Sequence, residues 1–156
     1  MQKHRVVAID TGIAEQVRGT LKSPVYGFPA LLEDSGEPAP CRHCLRSIAA
    51  NEGRILFTYD RFSGKEQLPQ PGPIYIHAKS CPRFSESDGF PEDLRNSPRT
   101  VEAYGNGRNL KAQAYVTDGG FEPVIANLFA DSEVDYLQIQ STTAGCFTFR
   151  VERAAK

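Results

Sequence analysis

The sequence predicts an α+β domain, mostly antiparallel sheet with two short helices. Three observations lead there: strand-like runs recur along the chain, an Asn-Gly pair separates two of them at 105–107, and only two segments carry apolar residues at helical spacing. Several antiparallel strands with two short helices fit an α+β architecture better than a doubly wound parallel sheet.

Residues 4–9 read as the first strand. Thr11 is placed to cap a helix in which Ile13, Val17 and Leu21 recur every fourth residue and form one apolar face. Pro24 and Gly27 end that unit. A loop rich in Pro, Gly and acidic residues, 33–40, leads through Cys41-Arg42-His43-Cys44 to a strand at 54–60. Residues 63–73 hold three prolines and two glycines, so an irregular excursion is expected before a short strand at 74–78. A further loop and one helical turn at 91–96 follow. Runs 99–104 and 108–117 flank Gly105-Asn106-Gly107 and read as a hairpin, because both turn residues tolerate positive φ. Past Gly119-Gly120, Val124, Ile125, Leu128 and Phe129 share a helical face, with Pro123 near the start, where a missing N–H costs little. Strands at 134–141 and 146–153 close the chain; in the second, Phe147, Phe149 and Val151 alternate with Cys146, Thr148 and Arg150.

At 156 residues the chain is long enough for one core, so a single domain over 1–156 is expected. Hydrophobic residues at 40%, charged residues at 24% and a net charge of −1 describe an ordinary globular chain, which argues against a disordered tail and against a general affinity for nucleic acid. The longest apolar stretches, 54–59 and 146–151, are strand-sized and fall short of the roughly 20 residues of a membrane span, so no membrane partner is expected. Residues 1–10 lack the longer apolar region of a secretory signal. The expected location is the cytoplasm, where closely spaced cysteines are more often metal ligands than disulfides.

Two pairs carry chemistry: Cys41-x-x-Cys44, and His77-x-x-x-Cys81 at the end of a predicted strand. A two-residue gap in a tight turn brings two sulfurs to one zinc at about 2.3 Å, and a strand end followed by a turn supplies an imidazole and a third thiolate. The layout is that of a zinc knuckle inserted in the fold, treble-clef-like, with Cys41, Cys44, His77 and Cys81 as ligands. The competing readings are a buried unligated cluster, since free cysteine packs as a small hydrophobe, and a redox pair at Cys41 and Cys44. Cys146 is expected as a buried thiol, and His43 as an outward-facing residue in the middle of the knuckle.

Pro40-Cys41-Arg42-His43-Cys44-Leu45, Gly72-Pro73-Ile74-Tyr75-Ile76-His77-Ala78 with Cys81, and Ala144-Gly145-Cys146-Phe147 resemble the signature segments of an uncharacterised bacterial family, domain-of-unknown-function family 1203. The resemblance runs over nearly the whole chain and implies a bacterial origin. It also implies that Cys41, Cys44, His77 and Cys81 belong together as a set, and that His43 is peculiar to this member. It carries no activity, substrate or partner.

Three thiolates and one imidazole close the shell of a zinc ion and leave no position for water, which points to a structural zinc in a binding or scaffolding protein. A zinc- or cysteine-dependent enzyme of unknown substrate is the alternative. Pro40-Cys41-Arg42-His43-Cys44 matches half of a deaminase signature, but the His-x-Glu half is missing: His77 is followed by Ala78 and Lys79. A cysteine nucleophile would pair Cys81 or Cys146 with His77. Arg42, His43, Arg46, Arg54 and Arg61, interleaved with Tyr59 and Phe62, are expected to form a solvated face rather than a nucleic-acid site.

Overall fold

A computed structural model describes residues 4–65, 68–86 and 89–154. In chain order the elements are β1 (His4–Val7), α1 (Thr11–Thr20), β2 (Leu31–Glu33), β3 (Ala39–Pro40), β4 (Ser47–Ile48), β5 (Arg54–Asp60) and β6 (Pro71–His77). A 3-10 turn (Glu92–Leu94), β7 (Arg99–Tyr104), β8 (Leu110–Val116), α2 (Phe121–Phe129), β9 (Tyr136–Ser141) and β10 (Phe147–Arg153) complete them. The architecture is α+β, with two helices and antiparallel strand pairs. One five-stranded sheet runs β1-β10-β9-β7-β8, a three-stranded sheet runs β2-β5-β6, and β3 and β4 form a small ribbon.

Two large apolar clusters follow from this division, with a small third one formed by Phe62, Tyr104 and Tyr136. The first lies between the five-stranded sheet and α2, where Phe121, Ile125 and Phe129 are buried and Val124 and Leu128 pack against them. The second gathers Ala14 and Val17 of α1, Ile55 and Phe57 of β5, Ile74 and Ile76 of β6, and Cys41 and Cys44. Each fully buried aliphatic or aromatic side chain contributes about 1.5–3 kcal/mol, so these faces fix where the helices lie.

Several local expectations change for physical reasons. Thr11 is the first helical residue, Asp10 holds the cap position, and the Thr11 hydroxyl bonds the His43 ring instead. Leu21 leaves the apolar face of α1 because it ends the helix in the left-handed region at φ 52°, 39% exposed. The hairpin between β7 and β8 forms, with a register shift at Ala103/Tyr104 and a loop closed by the Gly105 N–H donating to the Asn109 carbonyl. Only Gly107 of its turn uses positive φ. In β10 a bulge between Phe147 and Phe149 breaks the expected alternation. Phe147 therefore joins the second cluster while Phe149 and Val151 stay in the first, and Thr148 is fully buried.

The proline-rich excursion is shorter than expected. Its Glu66 and Gln67 lie outside the described residues, and Pro71 and Pro73 already belong to β6. Strand β6 lies at the margin of its sheet, paired only with β5. Positions 71, 73, 75 and 77 turn their backbone polar groups away from β5, as the Arg42 N–H bond to the Tyr75 carbonyl and the His77 N–H bond to Cys41 Sγ show. Proline, having no N–H, is tolerated there at no loss of ladder bonds.

Candidate metal centre

The loop 41–46 joins β3 to β4 and is closed by the Cys41 N–H donating to the Arg46 carbonyl and the Leu45 N–H donating to the Cys41 carbonyl. Leu45 has φ 57° and is 1% exposed. A left-handed leucine costs about 1–2 kcal/mol, offset here by burial of its side chain in the first apolar cluster. The outer margin of β6 receives this loop through the two bonds described above. His77 ends β6 opposite Arg54, and Cys81 follows in an irregular segment anchored by the Phe84 N–H bond to the His43 carbonyl. Arg83 bonds the carbonyls of Ala8 and Ile9 and holds the same segment against the end of β1.

These elements bring the four predicted ligand residues together. One donor atom from each of Cys41, Cys44, His77 and Cys81 lies within 4.8 Å of the others. Cys41 Sγ is 3.9 Å from Cys81 Sγ, and Cys44 Sγ is 3.4 Å from His77 Nδ1. For a tetrahedral zinc with ordinary bond lengths, the corresponding edges are about 3.8 Å between sulfurs and about 3.6 Å between sulfur and nitrogen. The donor set and its spacing therefore fit a small soft-ligand ion. The helix that a treble clef places after its second ligand pair does not follow here: among the described residues the first helical turn beyond Cys81 is Glu92–Leu94.

The thiols interact strongly with one another. Hydrogen bonds from Cys44 and Cys81, with backbone N–H groups of Cys44 and His77 adding to them, hold the Cys41 thiol far below its ordinary value. Its bond with Cys41, then its bond with Cys81 and burial, push the Cys44 thiol up. The bond with Cys41 pushes Cys81 up as well. The centre of the cluster thus favours one negative charge, and the protons on the other two thiols are those a divalent cation displaces.

Around the cluster stands a second layer that local sequence patterns did not reveal. Glu52 Oε1 lies 3.5 Å from His77 Nε2, leaving Nδ1 toward the sulfurs, which is how an outer carboxylate fixes the orientation of a ligating imidazole. Arg18 donates from Nε to the His77 carbonyl and from Nη2 to Cys81 Sγ at 3.2 Å. His43 is not outward-facing. It is 1% exposed, with Nδ1 3.2 Å from Cys81 Sγ and Nε2 2.9 Å from the Thr11 hydroxyl. Burial, then the nearby Arg18 charge, hold its pKa below the ordinary value.

The expected solvated face also dissolves. Arg42 and Arg54 are 4% and 1% exposed, and both bind backbone carbonyls: Arg42 those of Pro40 and Phe147, Arg54 those of Glu37, Ala49 and Glu52. Burial pulls the Arg42 guanidinium down to about 10. Arg61 is half-buried and turned to Glu102 and Gln140, and of the five residues only Arg46 is exposed. Cys146, expected buried, is half-buried and apart from the cluster, beside a cavity of about 190 Å³ between β6 and the turn before β10.

An α+β fold with a Cys3His cluster of this kind defines a class of small domains with a metal-competent centre rather than a known activity. The chain belongs to the family described as "Protein of unknown function (DUF1203)", whose model matches residues 38–153. All four cluster residues lie inside that span, whereas Thr11 and Arg18 lie before it. No curated protein and no solved structure matches the chain.

Proposed function

We propose that Cys41, Cys44, His77 and Cys81 hold one structural zinc, and that the protein works as a binding or scaffolding unit. The observation that carries this is the spacing of the four donors, two of whose separations approach the edges of a zinc tetrahedron. A closed Cys3His shell has no position for water, and its chemistry is to pin the knuckle to β6. One domain over 1–156 in a reducing, cytoplasmic setting goes with this reading. Its supports are four free cysteines, a Phe147 that links β10 to the second cluster, and the lack among the described residues of any helix long and apolar enough to cross a membrane. The family resemblance supports a bacterial source.

Elemental analysis of the purified chain should find one zinc per molecule, and chelation should lower the melting temperature by ten degrees or more, on the order expected when a folding-coupled ion is lost. A metal-free preparation that melts normally ends the proposal. The alternative, a cysteine-dependent enzyme, is favoured by one observation: the Thr11–His43–Cys81 chain of contacts, which pairs Cys81 with His43 rather than His77. Iodoacetamide decides between them, since a zinc-bound Cys81 labels slowly at neutral pH and a catalytic one labels fast.

A further inference from the structure

Cys81 differs from the other two sulfur donors. Cys41 is fully buried and Cys44 is 5% exposed, whereas Cys81 is half-buried. A cavity of about 400 Å³ reaches both Cys44 and Cys81, bordered further by Glu52, His77, Lys79 and Ser80, so the fully buried Cys41 does not line it. Among the described residues Cys81 alone of the three meets side-chain nitrogens from outside the ligand set, the donor Arg18 Nη2 and the ring nitrogen His43 Nδ1, each at 3.2 Å. A guanidinium at that distance offers positive charge to an oxyanion leaving from the sulfur. The next sulfur, on Cys41, is 3.9 Å away, and a disulfide needs about 2.05 Å, so a shift of roughly 2 Å joins them.

We propose, resting on the zinc reading above, that Cys81 is a hydroperoxide-reactive site whose oxidation ejects the metal. The Cys81 thiolate attacks the distal peroxide oxygen; an S–O bond forms, the O–O bond breaks, and the leaving hydroxide or alkoxide, facing Arg18, takes a proton from solvent. The Cys41 thiolate then attacks the Cys81 sulfur, forming the S–S bond and expelling hydroxide, which is protonated to water. Two thiolates have lost two electrons, one hydroperoxide has gained them and two protons are consumed. Only Cys44 and His77 would then remain to hold the ion, too few donors to retain it.

The test uses the full chain, with zinc content fixed by elemental analysis beforehand. Hydrogen peroxide is added, released zinc is followed with a colorimetric chelator, and disulfides are mapped by mass spectrometry without reduction. The expected result is one zinc released per Cys41–Cys81 disulfide formed, reversed by dithiothreitol and added zinc. Arg18→Met should slow release about three- to tenfold at equal zinc content, and Arg18→Lys should keep most of the rate. Zinc retained while only Cys146 is oxidised, or a Cys41–Cys44 disulfide in place of the expected one, overturns the proposal. A chain that takes up no zinc before peroxide is added overturns the zinc reading and this one with it. Should the Arg18 variants fail to fold, the map of the unaltered chain still decides.

Discussion

Leu45 shows how a single residue is held in an unfavourable backbone state by its surroundings. Its left-handed φ is what lets the knuckle close within six residues, and its side chain is what the first apolar cluster gains in return. Both effects separate in a pair of variants. Leu45→Ala keeps the backbone penalty and loses the burial, whereas Leu45→Gly loses the burial and relieves the penalty. Leu45→Gly should therefore be the more stable of the two by about 1 kcal/mol in urea unfolding, the reverse of the usual order of alanine and glycine. Equal stabilities, or alanine ahead, would mean that the strain at this position is negligible. None of this was visible in Pro40-Cys41-Arg42-His43-Cys44-Leu45 as a string, because positive φ at leucine has no sequence signal. The same holds for His43: its burial depends on Thr11 and Cys81, which lie 32 and 38 positions away.

At the level of elements, α2 is tied to the 3-10 turn by one arginine. Arg95 reaches both oxygens of Glu122 at 2.7 Å, also bonds Glu92, and lies 5.0 Å over the Phe90 ring. Glu122 sits in the first turn of the helix, where negative charge is favoured, and its bond with Arg95 holds its carboxyl below the ordinary value. A folded pKa below the unfolded one means that the unfolded chain binds more protons in the window between them. The stability from this pair is thus complete above about pH 4.5 and is lost as pH falls through the folded value. Glu122 is 58% exposed, so the loss is at most about 1 kcal/mol. Urea midpoints at pH 6 and pH 3.5 should fall less for Glu122→Gln than for the unaltered chain; parallel declines would mean the pair contributes nothing.

Across the whole molecule the two large apolar clusters differ in what holds them. The first rests on the five-stranded sheet and α2, with long antiparallel ladders such as β7 with β9. The second is closed by α1, β5, β6 and the knuckle, and its Cys41 and Cys44 are also proposed ligands. Removal of the ion should therefore loosen one half of the molecule before the other. Amide hydrogen exchange after chelation should quicken first in 41–48 and 71–81, while β7 and β9 keep their protection. Uniform loss of protection would show a single cooperative unit instead.

The sequence disclosed the parts of this organisation that depend on near neighbours. β5, the β7–β8 hairpin, the face of α2 and the four cluster residues were all legible, since each follows from short-range periodicity, turn chemistry or the spacing of two ligand pairs. The outer layer was not. Glu52 reaches His77 from the loop before β5, Arg18 reaches Cys81 from α1, and Arg54 spends its charge on three carbonyls in flanking loops. Such contacts exist only once the topology has been drawn, and a charged residue's type gives no sign of whether it will be swallowed by the backbone around it.

The free margin of β6 has one more effect, on what this protein can associate with. A foreign strand seeking to extend the small sheet finds no proton to share at Pro71 or Pro73, and finds the Tyr75 carbonyl and both His77 backbone groups already taken by Arg42, Cys41 and Arg18. The margin is sealed only while the knuckle stays docked. Loss of the ion would unseal its second half and leave a sticky ribbon, so a chelated sample should scatter light with time where the untreated one stays clear.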